Sequence, residues 1–223
     1  MAAARGRFIS LEGGEGTGKS TQAALLADAL RRQGLTVVLT REPGGSPGGE
    51  AIRGFIKGAL DLDWAPATEA LLHAAARLDH LQRVIRPALA AGAWVVSDRF
   101  ADSTRAYQGY GQGLDLAWLA RLEDLVVAAD WPDLTLVFDL PAEIAARRLA
   151  GRRLADPDAA RADRYERMDE AFHGRVHDAF ATIAQSDPAR CLVVDAGGSP
   201  EAVHARVLAV VRERFGVPLA PGG

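Results

Sequence analysis

Along the chain, short runs of apolar residues alternate with longer stretches in which apolar positions recur every three to four residues. The short runs predict strands at Phe8–Leu11, Thr36–Thr40, Trp94–Ser97, Leu134–Asp139 and Cys191–Asp195. The longer ones predict helices at Ser20–Gln33, Ala67–Ala91, Leu116–Ala129, Ala142–Ala150, Tyr165–Gln185 and Pro200–Phe215. Gly34 and Gly92 stand where a helix end calls for a residue free to turn left-handed. Strand and helix in alternation predict an α/β domain, with a five-stranded parallel sheet joined by crossover helices. The near-continuous apolar character of the strands predicts helices on both faces, a three-layer arrangement. No repeat or flexible linker divides the chain. The reading is therefore one domain over residues 1–216, with a charged insertion at about 151–164 forming a mobile lid and a flexible tail at 217–223.

Composition narrows the classes of function. The 223 residues provide ample material for a core, and 48% apolar with 25% charged residues is ordinary globular usage. A net charge of −3 offers no basic field, so no nucleic-acid partner is expected. Cys191 is the single cysteine, which excludes a disulfide framework and a thiolate zinc cluster. Met1–Arg7 lacks the apolar run of a secretion signal and no stretch could span a bilayer, so the expected compartment is the cytoplasm, without membrane contact. Of the 26 basic residues all but Lys19 and Lys57 are arginine, and asparagine is absent. Codon bias accounts for most of this. A lysine retained against such bias marks a place where a compact, mobile ammonium is useful.

Lys19 lies in the strongest motif of the chain. Gly13, Gly14, Glu15, Gly16, Thr17, Gly18, Lys19 and Ser20 match G-x-x-x-x-G-K-[ST], after a predicted strand and at the start of a predicted helix that continues through Thr21. Glycines let successive backbone N–H groups face phosphate oxygens, and the helix N-terminus adds positive potential. Lys19 can reach the β- and γ-phosphates, and the Ser20 hydroxyl can join a Mg²⁺ shell. The absence of asparagine excludes the Asn-Lys-x-Asp signature of GTPases. Asp98, at the end of the third strand, is followed directly by Arg99, which pairs a carboxylate on the Mg²⁺ side with a guanidinium for phosphate. Such a pair suits two phosphate groups held close together.

The chain closely resembles bacterial thymidylate kinases, P-loop enzymes that phosphorylate dTMP. The resemblance rests on residues 8–22, on Thr40-Arg-Glu-Pro-Gly-Gly45, on Asp98-Arg99-Phe100 and on Asp102-Ser-Thr-Arg-Ala-Tyr-Gln-Gly109. It implies a P-loop fold, ATP and Mg²⁺, a homodimer with residues 67–91 as a candidate interface, and a set of acceptor contacts. Among these, Glu15 would lie near the deoxyribose 3′-hydroxyl, Glu42 in a cis Glu42–Pro43 turn, and Arg53 near the acceptor phosphate. Arg77 would bond a thymine carbonyl, Thr104 and Gln108 would read the base, and Tyr107 would face the sugar and help exclude a 2′-hydroxyl. His73 stands where the family has a stacking phenylalanine, a departure that could make binding pH-dependent. Lys57 falls on a predicted helix outside every motif, and the remaining histidines form no ligand-like cluster.

The acceptor in such a reaction is a phosphate oxygen, largely ionised at neutral pH because its second pKa is about 6. No general base is needed; the difficulty is electrostatic, and cations answer it. Arg147, Arg148, Arg152, Arg153, Arg161 and Arg164 crowd one short stretch. The family carries a catalytic arginine either in the phosphate loop or in the lid, and residues 14–17 contain none. The lid would then supply it, with Arg153 and Arg152 the first candidates and Asp163 and Glu166 helping to position lid or acceptor. Two alternatives remain: a kinase for another nucleoside monophosphate, suggested by His73, and an ATP-dependent binding or switch protein.

Overall fold

The computed structural model describes residues 5–57, 64–155, 165 and 168–219, and for 152, 153 and 155 the helical backbone alone. Five parallel strands form one sheet: β1 (Phe8–Gly13), β2 (Val37–Arg41), β3 (Trp94–Asp98), β4 (Leu134–Asp139) and β5 (Cys191–Asp195), in the order β2-β3-β1-β4-β5. Because all strands run the same way, their carboxyl ends share one edge. Leu11 is in register with Asp98, and Asp98 with Arg41, which gathers the segments after β1, β3 and β2 at one place. Ligands of open α/β sheets bind outside that edge, where strand order reverses.

The side chains of the central strands alternate between two cores. Ile9 and Leu11 of β1 and Leu134, Leu136 and Phe138 of β4 pack with Leu26 and Leu30 of α1 (Lys19–Arg32) and Val207 and Val211 of α9 (Pro200–Phe215). Phe8 and Val95 face the other way, against Leu81, Ile85 and Phe100, with the Phe8 and Phe100 rings edge to face at 4.9 Å. Val137 packs with Phe172, Val176 and Phe180 of α8 (Glu170–Ser186). Each such side chain contributes roughly 1.5–3 kcal/mol on burial, so the central strands anchor the site edge. The expectation of cover on both faces holds for β1, β3 and β4 but not fully for the edge strands. Leu39 of β2 is 40% exposed and Val193 of β5 54%.

The other helices are α2 (Pro47–Ile56), α3 (Pro66–His80), α4 (Arg86–Ala90), α5 (Ala101–Thr104), α6 (Leu116–Val126) and α7 (Ala142–Ala155). The predicted helix Ala67–Ala91 is α3 and α4 joined by a π-helical turn, Leu81–Ile85. The wider turn accommodates Pro87, which has no N–H to donate. Gly34 and Gly92 adopt the expected left-handed conformation. The helix expected from Tyr165 starts instead at Glu170, because the Asp169 carboxylate accepts from Phe172 N at 2.7 Å and caps it there. α5 was not predicted; it runs into a second π-helical turn, Arg105–Gly111. Among the described residues no helix is long and apolar enough to cross a membrane.

Candidate active site

The loop after β1 bends through Gly13, Gly16 and Gly18, all at positive φ, and delivers Lys19 to the first turn of α1. Gly16 lies against α7, where a Cβ would come within 2.6 Å of Ala145 O and 3.0 Å of Leu149. Thr17 Oγ1 donates to Gly14 O at 3.0 Å and so closes the loop. Lys19 Nζ donates to Gly14 O at 2.6 Å and to Thr17 Oγ1 at 3.2 Å, folded onto the loop that it serves. Burial, reinforced by repulsion from Arg99, lowers its pKa to about 8.

Arg99 occupies the centre. Its backbone is left-handed, with φ 72°, which costs a side-chain-bearing residue roughly 1–2 kcal/mol. Nη1 donates to Gly13 O and Ser103 Oγ, both at 3.0 Å, and Nη2 to Glu15 Oε1 at 2.6 Å and Tyr107 OH at 2.9 Å. Tyr107 in turn donates to Glu15 Oε1 at 3.1 Å. Enclosure would raise the Glu15 carboxyl, but the charges of Arg99 and Lys19 prevail and hold it at about 2. Glu15, Tyr107 and Arg99 thus form a closed triad.

Ser20 donates its hydroxyl hydrogen to Asp98 Oδ2 in a short bond, while Asp98 Oδ1 is buried with no hydrogen-bond partner. An orphaned buried carboxylate oxygen beside a hydroxyl fits a divalent cation. Among the described residues no group of three His, Cys, Asp or Glu could hold a metal unaided, so phosphate oxygens and water would complete the shell.

At the other end of the same cavity, of about 550 Å³, Arg77 is buried on α3. It donates through Nε to Glu42 Oε2 at 2.7 Å and through Nη2 to Thr104 Oγ1 at 3.1 Å and Phe100 O at 3.2 Å. Glu42 precedes a cis Pro43. Its second oxygen meets His80 Nδ1 at 3.0 Å, and Thr40 Oγ1 meets His80 Nε2 at 2.7 Å. His80, which formed no ligand-like cluster in the sequence, is therefore part of the frame that fixes Arg77. The π-helical turn widens the helix so that Thr104, Tyr107 and Gln108 all reach the cavity wall. Gln108 Nε2 donates to Tyr165 OH at 2.7 Å, and Tyr165 OH meets His73 Nε2 at 3.2 Å. Enclosure, reinforced by the charges of Arg77, Arg99 and Arg53, lowers the His73 pKa to about 3. His73 is neutral throughout the physiological range, contrary to the expected pH-dependence.

Arg53 donates to Pro43 O at 2.6 Å and lines the cavity between its two ends. One turn later Lys57 closes α2 and lines the cavity too, and its charge helps to depress Glu15. The expectation that Lys57 lies outside the site is corrected. Helical spacing from Arg53 was the signal that could have placed it. Arg148 also lines the cavity, bonding Ala196 O at 3.1 Å and Gly198 O at 3.0 Å. The side chains of Arg152 and Arg153, and all of Arg161, Asp163, Arg164 and Glu166, lie outside the described residues. Cys191 is buried and free, its thiol pushed up to about 12 mainly by burial, as inert packing requires.

A phosphate loop and a buried polar pocket thus share one cavity. Comparisons with known proteins give the family. The family model for thymidylate kinase matches residues 11–207. The thymidylate kinase of Caulobacter vibrioides is 50% identical over 214 residues, covering 96% of this chain and 99% of its own. That of Rhizorhabdus wittichii is 53% identical over 204 residues, covering 91% and 95%. The crystal structure of thymidylate kinase from Ehrlichia chaffeensis superposes with a TM-score of 0.72 at 35% identity, over 93% of this chain and 99% of that one. With a family model matched over most of its length and relatives at half identity along nearly all of it, the chain belongs to the thymidylate kinase family.

Proposed function

We propose that the cavity is where this kinase carries out the reaction of its family, phosphorylation of dTMP to dTDP with ATP. The observation that carries the assignment is the pairing of Lys19, Arg99 and Asp98 with Arg77, Thr104 and Gln108 in one cavity. ATP binds with its phosphates along residues 13–21, and Lys19 leaves Gly14 O to follow the transferring group. The dTMP base enters between His73 and the Arg77–Thr104–Gln108 wall, and its phosphate meets Arg53 and Arg99. Neutral His73 covers the ring, Tyr107 faces the sugar, and Glu15 accepts from the 3′-hydroxyl once Arg99 turns to phosphate. Wrong bases leave Arg77 or Gln108 unpaired, which is the costly kind of mismatch.

The acceptor oxygen is already anionic, so the residues have charge and alignment to manage rather than a proton. Ser20 and Asp98 would hold Mg²⁺, which when bound supplies charge neutralisation between donor phosphates. Arg153 or Arg152 completes the cationic shell from a lid at about 151–164, and closure excludes water. The working form is a cytoplasmic homodimer of single-domain subunits. Leu71 on α3, 50% exposed, supports placing the interface on that helix. An ADP-release assay over dTMP, dUMP, dCMP, dGMP, AMP and UMP tests the reading. It expects dTMP to stimulate far above the rest, and a rate with dTMP no greater than with ATP alone would overturn it.

A further inference from the structure

Glu12 is a fully buried carboxyl that does not line the cavity. Burying such a group costs several kcal/mol unless its bonds are well made, so an apolar residue would serve the core more cheaply. Burial, with the nearby Asp102 charge, pushes its pKa upward, while the Arg99 charge and the bonds from Ser103 and Phe100 oppose the shift. Its bonds are specific. Oε1 accepts from Phe100 N at 2.7 Å, and Oε2 accepts from Ser103 Oγ at 2.6 Å. Phe100 directly follows Arg99, and the Ser103 oxygen accepts from Arg99 Nη1 at 3.0 Å.

The two neighbours of Glu12 on β1 hold the same residue. Leu11 O accepts from Arg99 N at 2.9 Å, and Gly13 O accepts from Arg99 Nη1 at 3.0 Å. Three consecutive residues at the end of β1 therefore grip the left-handed turn at Arg99 from backbone, flank and side chain. The next residue along β1 opens the phosphate loop. A rigid body made of loop and arginine is the result, and without the grip the strained turn could relax.

We infer that Glu12 is a positioning residue for phosphoryl transfer, locking the turn at Arg99 to β1 so that the guanidinium keeps its register with the phosphate loop. The inference rests on the reading of Arg99 as a phosphate-binding cation. The polarity of the chain is part of it. Ser103 donates to Glu12 and thereby offers its oxygen to Arg99. Glu12→Gln keeps an acceptor for Phe100 N but turns an amide N–H on Ser103, whose oxygen must then serve two donors.

The experiment is a double-mutant cycle: Glu12→Gln in the wild-type and in the Arg99→Lys background, with kcat, both KM values and thermal stability measured. Misplacing one cation by a fraction of an ångström is expected to lower kcat about tenfold to a hundredfold, with KM for ATP changed by less than about twofold. In the Arg99→Lys background the same change should cost less than about threefold, because there is no guanidinium left to aim. Ser103→Ala, which spares the Phe100 bond, carries the same cycle if Glu12→Gln fails to fold. Equal losses in both backgrounds, or a stability loss with kcat unchanged, would overturn the inference alone. Arg99→Lys with wild-type kcat would overturn the reading of Arg99 and the inference with it.

Discussion

Replacing Glu15 with glutamine is expected to weaken the ligand-free fold and, at the same time, to tighten polyphosphate binding. The Glu15 carboxylate lies 2.6 Å from Arg99 Nη2, and the Arg99 and Lys19 charges overcome its enclosure to leave a pKa of about 2. Measured from the ordinary 4.5, that displacement is worth roughly 3 kcal/mol of differential interaction. Because the folded value is depressed, the contribution is present in full above the unfolded pKa and disappears only as pH falls toward 2. At pH 7.5 the glutamine variant forfeits the ionic share but can still accept from Arg99, so its expected cost is about 1–3 kcal/mol. Arg99 and Lys19 then face the cavity without their counter-ion, and an entering phosphate chain meets a larger positive field. Urea unfolding measures the first effect. Calorimetric titration with pyrophosphate measures the second, an affinity gain of about threefold to tenfold, or roughly 0.7–1.4 kcal/mol. Saturating pyrophosphate should also narrow the stability gap. Unchanged stability together with unchanged or weaker pyrophosphate binding would show that Glu15 is a solvated loop carboxylate and that the counter-ion reasoning is wrong.

The two lysines and the pocket histidine give four further tests. With its pKa lowered to about 8, Lys19 loses its charge in the free enzyme as pH rises through that value, so kcat/KM for ATP should fall above pH 8, while a flat profile to pH 9.5 would contradict the assignment. Lys19→Arg should lower kcat about a hundredfold or more in a steady-state assay. Lys57→Met should raise KM for dTMP by about threefold with little change in kcat, since it removes a charge that the substrate phosphate meets on entry, and an unchanged KM would return Lys57 to the solvent face. Thymidine, which has no phosphate to titrate, should bind with constant affinity from pH 5 to 8, because His73 stays neutral down to about 3; a step near pH 6.5 would refute the enclosed, arginine-ringed environment.

The architecture was readable from the sequence where one force dominates. Strands β1, β3 and β4 are near-continuous apolar runs, interrupted only by a few polar residues, because both of their faces are covered, and Gly34 and Gly92 end helices because their φ of 78° and 79° suits glycine. Reading failed where short-range chemistry competes with periodicity. Tyr165 fits a helical pattern, but the Asp169 cap starts α8 later. The π-helical turn at Arg105–Gly111 has no signature in apolar spacing, yet it carries Tyr107 and Gln108 to the cavity wall beside Thr104. The phosphate loop is local in sequence and was complete at sight. His80, Glu12 and Ser103 bond partners 38, 88 and 91 residues away; Glu12 and Ser103 fall inside the motif segments, which alone do not show what these side chains hold. Lys57 lies one helical turn beyond Arg53, so helical spacing rather than a motif is what places it on the cavity wall.

The contact between Gly16 and α7 limits what position 16 of the loop can carry. A side chain at position 16 would have to leave a φ of +74° and displace a helix whose carbonyl stands 2.6 Å from its first carbon. An arginine at position 16 is therefore not one substitution away: α7 must first retreat from the loop, and Arg148, which α7 holds against Ala196 and Gly198, must retreat with it. Loop and α7 form a single steric unit at Gly16, so a larger residue there requires a coordinated change in the helix. Engineering that aims to place a cation at position 16 should begin with the helix at Ala145, not with the loop.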